Sequence, residues 1–214
     1  MNKHLLIGIL ALATLPAMGG LIYSSGDVNG SGTSLNTAIP DANATGVAFN
    51  LNVSGAGSSL SGLTVTLNVS GGYNGDLYAY LSCNGTLVTL LNRVGTGSGD
   101  AIQNTFGYAT AGFNNVTLSD AGTGGNIHNV SNPGSLVAYT ADGGSLASLY
   151  GGNPNGTWTL FFADLSGGNV STLNGWSLDI TAVPEPVNMA VGIFSALLGG
   201  GALAARWRRN VRLK

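Results

Sequence analysis

The sequence predicts an all-β fold, an antiparallel β-sandwich, and three observations carry that prediction. Apolar residues between Thr37 and Ala182 alternate with period two, as half-buried antiparallel strands require. Glycine-rich breaks interrupt them at Gly71-Gly72, Gly95 to Gly99 and Gly124-Gly125. Charged residues make up only 7% of the 214-residue chain, too few for the solvated faces of a helical bundle or coiled coil. In order, Val47, Phe49, Leu51 and Val53 form one strand set, and Leu63, Val65, Leu67 and Val69 the next. Trp158, Leu160 and Phe162, then Trp176, Leu178 and Ile180, close the series. Asn155-Gly156 and Asn174-Gly175 are expected as tight turns, since both residue types accept positive φ. Only Ser145 to Tyr150 has the pattern of a short helical turn. About eight strands at this spacing make a sandwich.

The formal net charge of −2 hides an uneven distribution. Residues 20–183 hold eight Asp against the single Arg93, whereas Arg206, Arg208, Arg209, Arg212 and Lys214 crowd the last nine positions. Nucleic-acid binding by the middle is disfavoured, because neutralising phosphates needs clustered Lys and Arg. A single cysteine excludes a disulfide scaffold.

The start reads as a secretory signal peptide over residues 1–19. Lys3 supplies the positive region, Leu5 to Leu15 the apolar run, and Ala17-Met18-Gly19 a small-x-small cleavage site before Gly20. A retained anchor is the alternative, but the run falls short of the ~20 residues a span needs. Residues 187–205 are uncharged over 19 positions, enough for a transmembrane helix. The basic tail at 206–214 then stays cytoplasmic and the acidic domain outside. The expected order is a signal helix, a Gly/Ser-rich leader at 20–36, the sandwich at 37–182, a linker at 183–186, the span and the tail.

Pro184-Glu185-Pro186, followed by the span and the arginines 206, 208 and 209, resembles a bacterial PEP-CTERM sorting signal. That resemblance implies an exosortase-type membrane enzyme as partner, cutting near 184–186, and delivery to the cell surface or extracellular matrix, commonly beside extracellular polysaccharide. A plain single-span anchor is the alternative.

Three further stretches carry a second resemblance. They are Tyr73-Asn74-Gly75-Asp76-Leu77, Leu91-Asn92-Arg93-Val94-Gly95, and Asn155-Gly156-Thr157-Trp158-Thr159-Leu160 with Asp164 and Leu173-Asn174-Gly175-Trp176-Ser177-Leu178 after it. Together with Ile39-Pro40-Asp41 they resemble the P domain (P/Homo B) of proprotein convertases and kexin-like subtilases. The resemblance implies a jelly-roll sandwich over about residues 37–182, with no chemistry of its own. Members carry acidic residues after the Phe of the middle region, whereas Phe106-Gly107-Tyr108-Ala109 has none.

No catalytic constellation emerges from the sequence. A Ser-His-Asp hydrolase needs a histidine base; His4 leaves with the signal, and His128 lies in the Gly124–Ser131 segment and reads as an exposed loop residue. Gly32-Thr33-Ser34 lacks the flanking segments of a subtilase nucleophile, and Cys83 has no histidine beside it in sequence. Glu185 alone remains as a mature Glu, which leaves no Glu pair for a glycosidase. Metal chemistry stays open at Asp76, Asp100, Asp164 and Asp179. Only hard oxygen ligands are on offer, which selects Ca²⁺ over Zn²⁺. The P-domain resemblance implies calcium at Asp76 and Asp164; Asx-turn capping is the other reading of both. Nine Asn-x-Ser/Thr sequons, Asn52, Asn68, Asn84, Asn115 and Asn169 among them, reflect an Asn/Ser/Thr-rich composition.

The expected function is therefore that of an exported, non-catalytic P-domain sandwich with an adhesion or scaffold role. Two alternatives stand beside it. One is an accessory domain of a secreted subtilase-type protease. The other is a carbohydrate-binding module using Tyr73, Tyr78 and Tyr80, although Tyr78 and Tyr80 alternate in a way that also suits the core.

Overall fold

The computed structural model of the protein describes residues 20–26, 33–97, 106–184 and 194–195. The expected signal helix with Ala17 and Gly19, nearly all of the 187–205 span, Glu185, Pro186 and the arginines 206, 208 and 209 lie outside the described residues, as does Asp100. Among the described residues no helix is long and apolar enough to cross a membrane.

Ten strands are described: β1 (Leu21–Gly26), β2 (Thr37–Ile39), β3 (Asn43–Val53), β4 (Ser59–Gly71), β5 (Leu77–Cys83), β6 (Thr86–Asn92), β7 (Phe113–Leu118), β8 (Ala138–Tyr139), β9 (Gly156–Asp164) and β10 (Ser171–Val183). They form two sheets. One runs β1-β10-β4-β7-β8, with β2 also paired to β10; the other runs β3-β9-β5-β6. All pairings are antiparallel except β7 with β8. The all-β sandwich expected from the alternation is what forms.

The alternation works as expected because one side of each strand faces the other sheet. Leu63, Val65, Leu67 and Val69 of β4, with Trp176, Leu178 and Ile180 of β10, line one inner face. Leu77, Ala79 and Leu81 of β5, with Trp158, Leu160 and Phe162 of β9, line the other. Val47, Phe49 and Leu51 are only partly buried, because β3 is an edge strand. Each fully buried large side chain contributes about 1.5–3 kcal/mol before entropy is counted.

Three local expectations are corrected. Asn174-Gly175 is no turn; it sits inside β10 where the ladder to β4 slips between Leu173 and Gly175, a bulge that lets the strand continue while it bends. Asn155-Gly156 leads into β9 from the loop before it rather than closing a hairpin. The tight hairpin lies instead at Asn84-Gly85, between paired Cys83 and Thr86. Its φ values of 49° and 83° are the positive pair that a two-residue turn demands. The leader segment is also not idle: β1 pairs with β10 along its whole length, Leu21 opposite Ile180.

The helical turn expected at 145–150 is present as a 3-10 turn at Leu146–Leu149. Asp120 fixes it by accepting from Ser145 Oγ at 2.7 Å and from the Leu146 and Ala147 amides at 2.9 and 2.6 Å.

Candidate functional site

One end of the sandwich gathers the polar residues that the rest of the core excludes. β9 ends on Asp164, which pairs with Leu77, the first residue of β5, and with Asn43 of β3. A 3-10 turn at Asn74–Asp76 leads directly into β5. The two aspartates are thus brought to the same end of neighbouring strands, and the Leu165 amide donates to the Asp76 carbonyl at 2.8 Å. Both carboxylates are sunk: Asp76 is 3% exposed and Asp164 0%.

Glycine makes the approach possible. A Cβ on Gly75 would come within 2.4 Å of the Phe106 carbonyl oxygen and 2.6 Å of the Tyr108 nitrogen, so the 106–108 segment lies against the turn only because position 75 carries no side chain. That contact is sealed by Gly75 N–H to the Tyr108 carbonyl at 2.9 Å.

Arg93 closes the other side. It follows β6 in the left-handed region, at φ 52°, a conformation costly for a non-glycine residue. From there Nε donates to the Gly75 carbonyl at 3.3 Å and Nη2 to Ser166 Oγ at 3.3 Å. Asp41, whose carboxylate accepts from Gly168 N–H at 3.1 Å, adds a third negative charge across the 165–170 loop.

The electrostatics follow from this placement. Burial pushes Asp164 up to about 6, helped by the nearby charges of Asp76 and Asp41 and opposed by the Ser166 amide. Burial likewise raises Asp76, against the Ser166 hydrogen bond and the Arg93 charge. Ser166 N–H donates to Asp164 Oδ1 at 3.2 Å, while Oδ2 of Asp164 and Oδ1 of Asn74 are buried without a hydrogen-bond partner. Buried acceptors left unpaired are costly.

Beside the acids opens a cleft of about 480 Å³, lined by Tyr73, Asp76, Phe106, Tyr108, Ser166 and Gly167. Tyr73 is 40% and Phe106 68% exposed. Among the described residues, Phe106 to Ala109, where the P-domain resemblance expects further acids, bring aromatic rings and no charge to that cleft.

The other sequence candidates scatter. Tyr78 and Tyr80 alternate with buried Leu77, Ala79 and Leu81, so they stand on the outer face of their sheet and not in the core. Tyr80 stacks on cross-strand Phe161 at 4.7 Å and 13°, so these two rings cover each other's faces. Tyr73 belongs to the cleft, and no three-tyrosine platform forms. Asp179 is exposed on β10. Cys83 is buried, and burial raises its thiol, the reverse of a reactive cysteine. His128 is not an exposed loop residue: its side chain is 23% exposed and bonded to Asp142. Among the described residues no cluster of three or more His, Cys, Asp or Glu is placed to hold a metal ion. Sequence reasoning did not anticipate the parts of Arg93, Ser166 and Asn74, although Asn74 and Arg93 lie in two of the stretches that carry the P-domain resemblance.

No family model matches the chain, and no curated protein matches it. Among solved structures, a chain in the crystal structure of the Aeromonas sobria serine protease and chaperone complex is similar at 16% identity, with a TM-score of 0.44. The likeness covers 75% of this chain and 26% of that one; this chain spans about a quarter of that chain's length.

Proposed function

We propose that the chain is an exported, non-catalytic sandwich of the P-domain type, carried to the cell surface or extracellular matrix by its C-terminal sorting signal, where it serves as an adhesion or scaffold module. The observation behind this is where the fold stops. β10 makes its last ladder pair at Val183 with Ser59, and Pro184-Glu185-Pro186 begins at the next residue. By sequence, two prolines around one residue disfavour helix, which would suit access by an exosortase-type enzyme. The non-catalytic reading is supported by the state of the reactive groups, since Cys83 is buried and both ring nitrogens of His128 are engaged.

Mass spectrometry of the mature surface protein is expected to find a C-terminus near Pro184–Pro186 and no basic tail. Surface protein that still ends on Lys214 overturns the sorting reading. Casein hydrolysis by the purified exported protein overturns the non-catalytic one, and recovery with a secreted subtilase turns the assignment to a protease accessory domain.

Within this reading Asp76 and Asp164 would hold Ca²⁺, with the Asn74 side-chain oxygen beside them. The donor set fits: two sunken carboxylates, one of them with an orphaned oxygen, and the orphaned amide oxygen of Asn74 are all hard ligands, which calcium takes. Two carboxylates without a third make a weak site, with Kd on the order of 10⁻⁴–10⁻³ M as in extracellular modules. Bound calcium would neutralise the buried pair and tie β5 to β9. Excess calcium at ~10 mM then adds about 1.4–2.7 kcal/mol, a rise in Tm of about 3–10 °C over the chelated protein. Equal melting temperatures with calcium and with chelator remove the ion from the proposal.

A further inference from the structure

A second polar cluster lies on the turn after β6, and neither the sorting reading nor the calcium reading uses it. Asn126 accepts the His128 backbone N–H at 2.8 Å and donates to the Ala141 carbonyl at 3.0 Å, which fixes residues 126–128 against 140–142. The His128 ring then reaches two oxygens. Nδ1 lies 3.0 Å from Asp142 Oδ2 and Nε2 lies 2.8 Å from the Thr96 carbonyl. Both are acceptors. A carbonyl has no proton to give, and Asp142 Oδ2 already accepts the Asn92 backbone N–H at 2.8 Å.

Neutral imidazole carries one N–H and one lone pair. Either tautomer would set that lone pair against an oxygen at hydrogen-bond distance, whereas imidazolium donates to both. The ring is only 23% exposed and Asp142 8%, so water does little to relieve the mismatch.

We propose that His128 is a pH-operated clasp, held as imidazolium, that fastens the turn after β6 to the 126–142 loop and so closes the rim of the aromatic cleft. The rim hangs on it through a chain of bonds. Gly95 N–H donates to the His128 carbonyl at 2.9 Å, Tyr108 N–H to Val94 at 3.0 Å, and Gly75 N–H to Tyr108 at 2.9 Å. Loosening 93–96 therefore loosens Tyr108, a wall of the cleft. Among the described residues the charged group bonded to the ring is Asp142, on the 140–144 segment; Asp100 lies in 98–105, outside the described residues.

Loss of one proton to solvent turns one ring nitrogen into a lone pair facing an oxygen, with no donor between them, and that contact opens. The sign is fixed by this. The clasp is fully closed where histidine is charged in any case, and its hold is lost as pH rises through the ring's own titration in the folded protein.

The test is a ¹⁵N NMR titration of the His128 ring in the full chain between about pH 5.5 and 9, with amide exchange at Gly95 and Tyr108 read alongside. The ring is expected to be doubly protonated at pH 7, where a free histidine is mostly neutral. Gly95 and Tyr108 should then exchange about tenfold faster, beyond the intrinsic base dependence, as the ring loses its proton. Asp142→Asn should move the titration to lower pH, and His128→Gln should abolish the step in exchange. A ring found neutral at pH 7, or protection that ignores its titration, overturns the clasp. The wild-type titration decides alone if either variant does not fold. Calcium and the tail play no part in this readout, so its failure leaves those readings standing.

Discussion

Trp158→Ala is expected to lower unfolding free energy by about 3–5 kcal/mol and Tm by about 6–20 °C. Trp158 is 1% exposed and sits on the inner face of β9, the strand between β3 and β5. Its removal opens a void that close-packed neighbours fill only in part. It also strips the Pro154 carbonyl of the indole N–H that reaches it at 2.8 Å, adding the cost of an unpaired buried acceptor. Trp176 offers the control. It is just as buried, but its Nε1 is buried without a partner. Trp158→Phe should therefore cost about 1 kcal/mol more than Trp176→Phe. Urea unfolding of the four proteins decides it; a Trp158→Ala variant melting within a degree or two of the parent would mean that the sandwich does not depend on this ring.

Asp164→Asn should change the sign of its effect with conditions. Burial holds Asp164 up at about 6, above its unfolded value, so the folded state favours the protonated form. Its contribution is thus greatest below the unfolded value and is lost as pH rises through about 6. In chelator at pH 7.5 the variant, freed of a buried charge, should be more stable than the parent by on the order of 1–3 kcal/mol. At acid pH the two should converge. Saturating calcium should reverse the order, because only the carboxylate attracts the ion. Thermal melts over pH 4–8, with and without calcium, read all three regimes. Parallel curves across that range would show that Asp164 is already compensated in the folded protein.

The fold was legible because its information is local and periodic. Every strand set picked out by alternation, from Val47-Phe49-Leu51-Val53 to Trp176-Leu178-Ile180, lies on an inner face. The turns were less legible. Asn-Gly states a preference for positive φ, but the bulge at Leu173–Gly175 uses the pair inside a strand, where cross-strand pairing on both sides outweighs the local tendency to turn. β1 was missed because Leu21-Ile22-Tyr23 is too short to show a period, and only its ladder to β10 makes it a strand. Of the site, Asp76 and Asp164 were visible as acids in turn motifs. Their shared burial was not, since it depends on the Leu77–Asp164 pairing across 87 positions. His128 shows the same limit: its partners Thr96 and Asp142 become neighbours only through tertiary structure.

The pairing of β1 with β10, Leu21 opposite Ile180, sets how the domain answers to load. The first and last strands run antiparallel side by side, so both ends of the folded unit leave the same end of one sheet. Tension applied between Gly20 and Val183 meets their ladder at its open end and parts it one cross-strand pair at a time, like a zip. Shear along the ladder, which would strain many hydrogen bonds together, does not arise in that geometry. A module hung by its two ends would give at β1 first, and the inner β4–β10 pairing, with the core beneath it, would keep its shape.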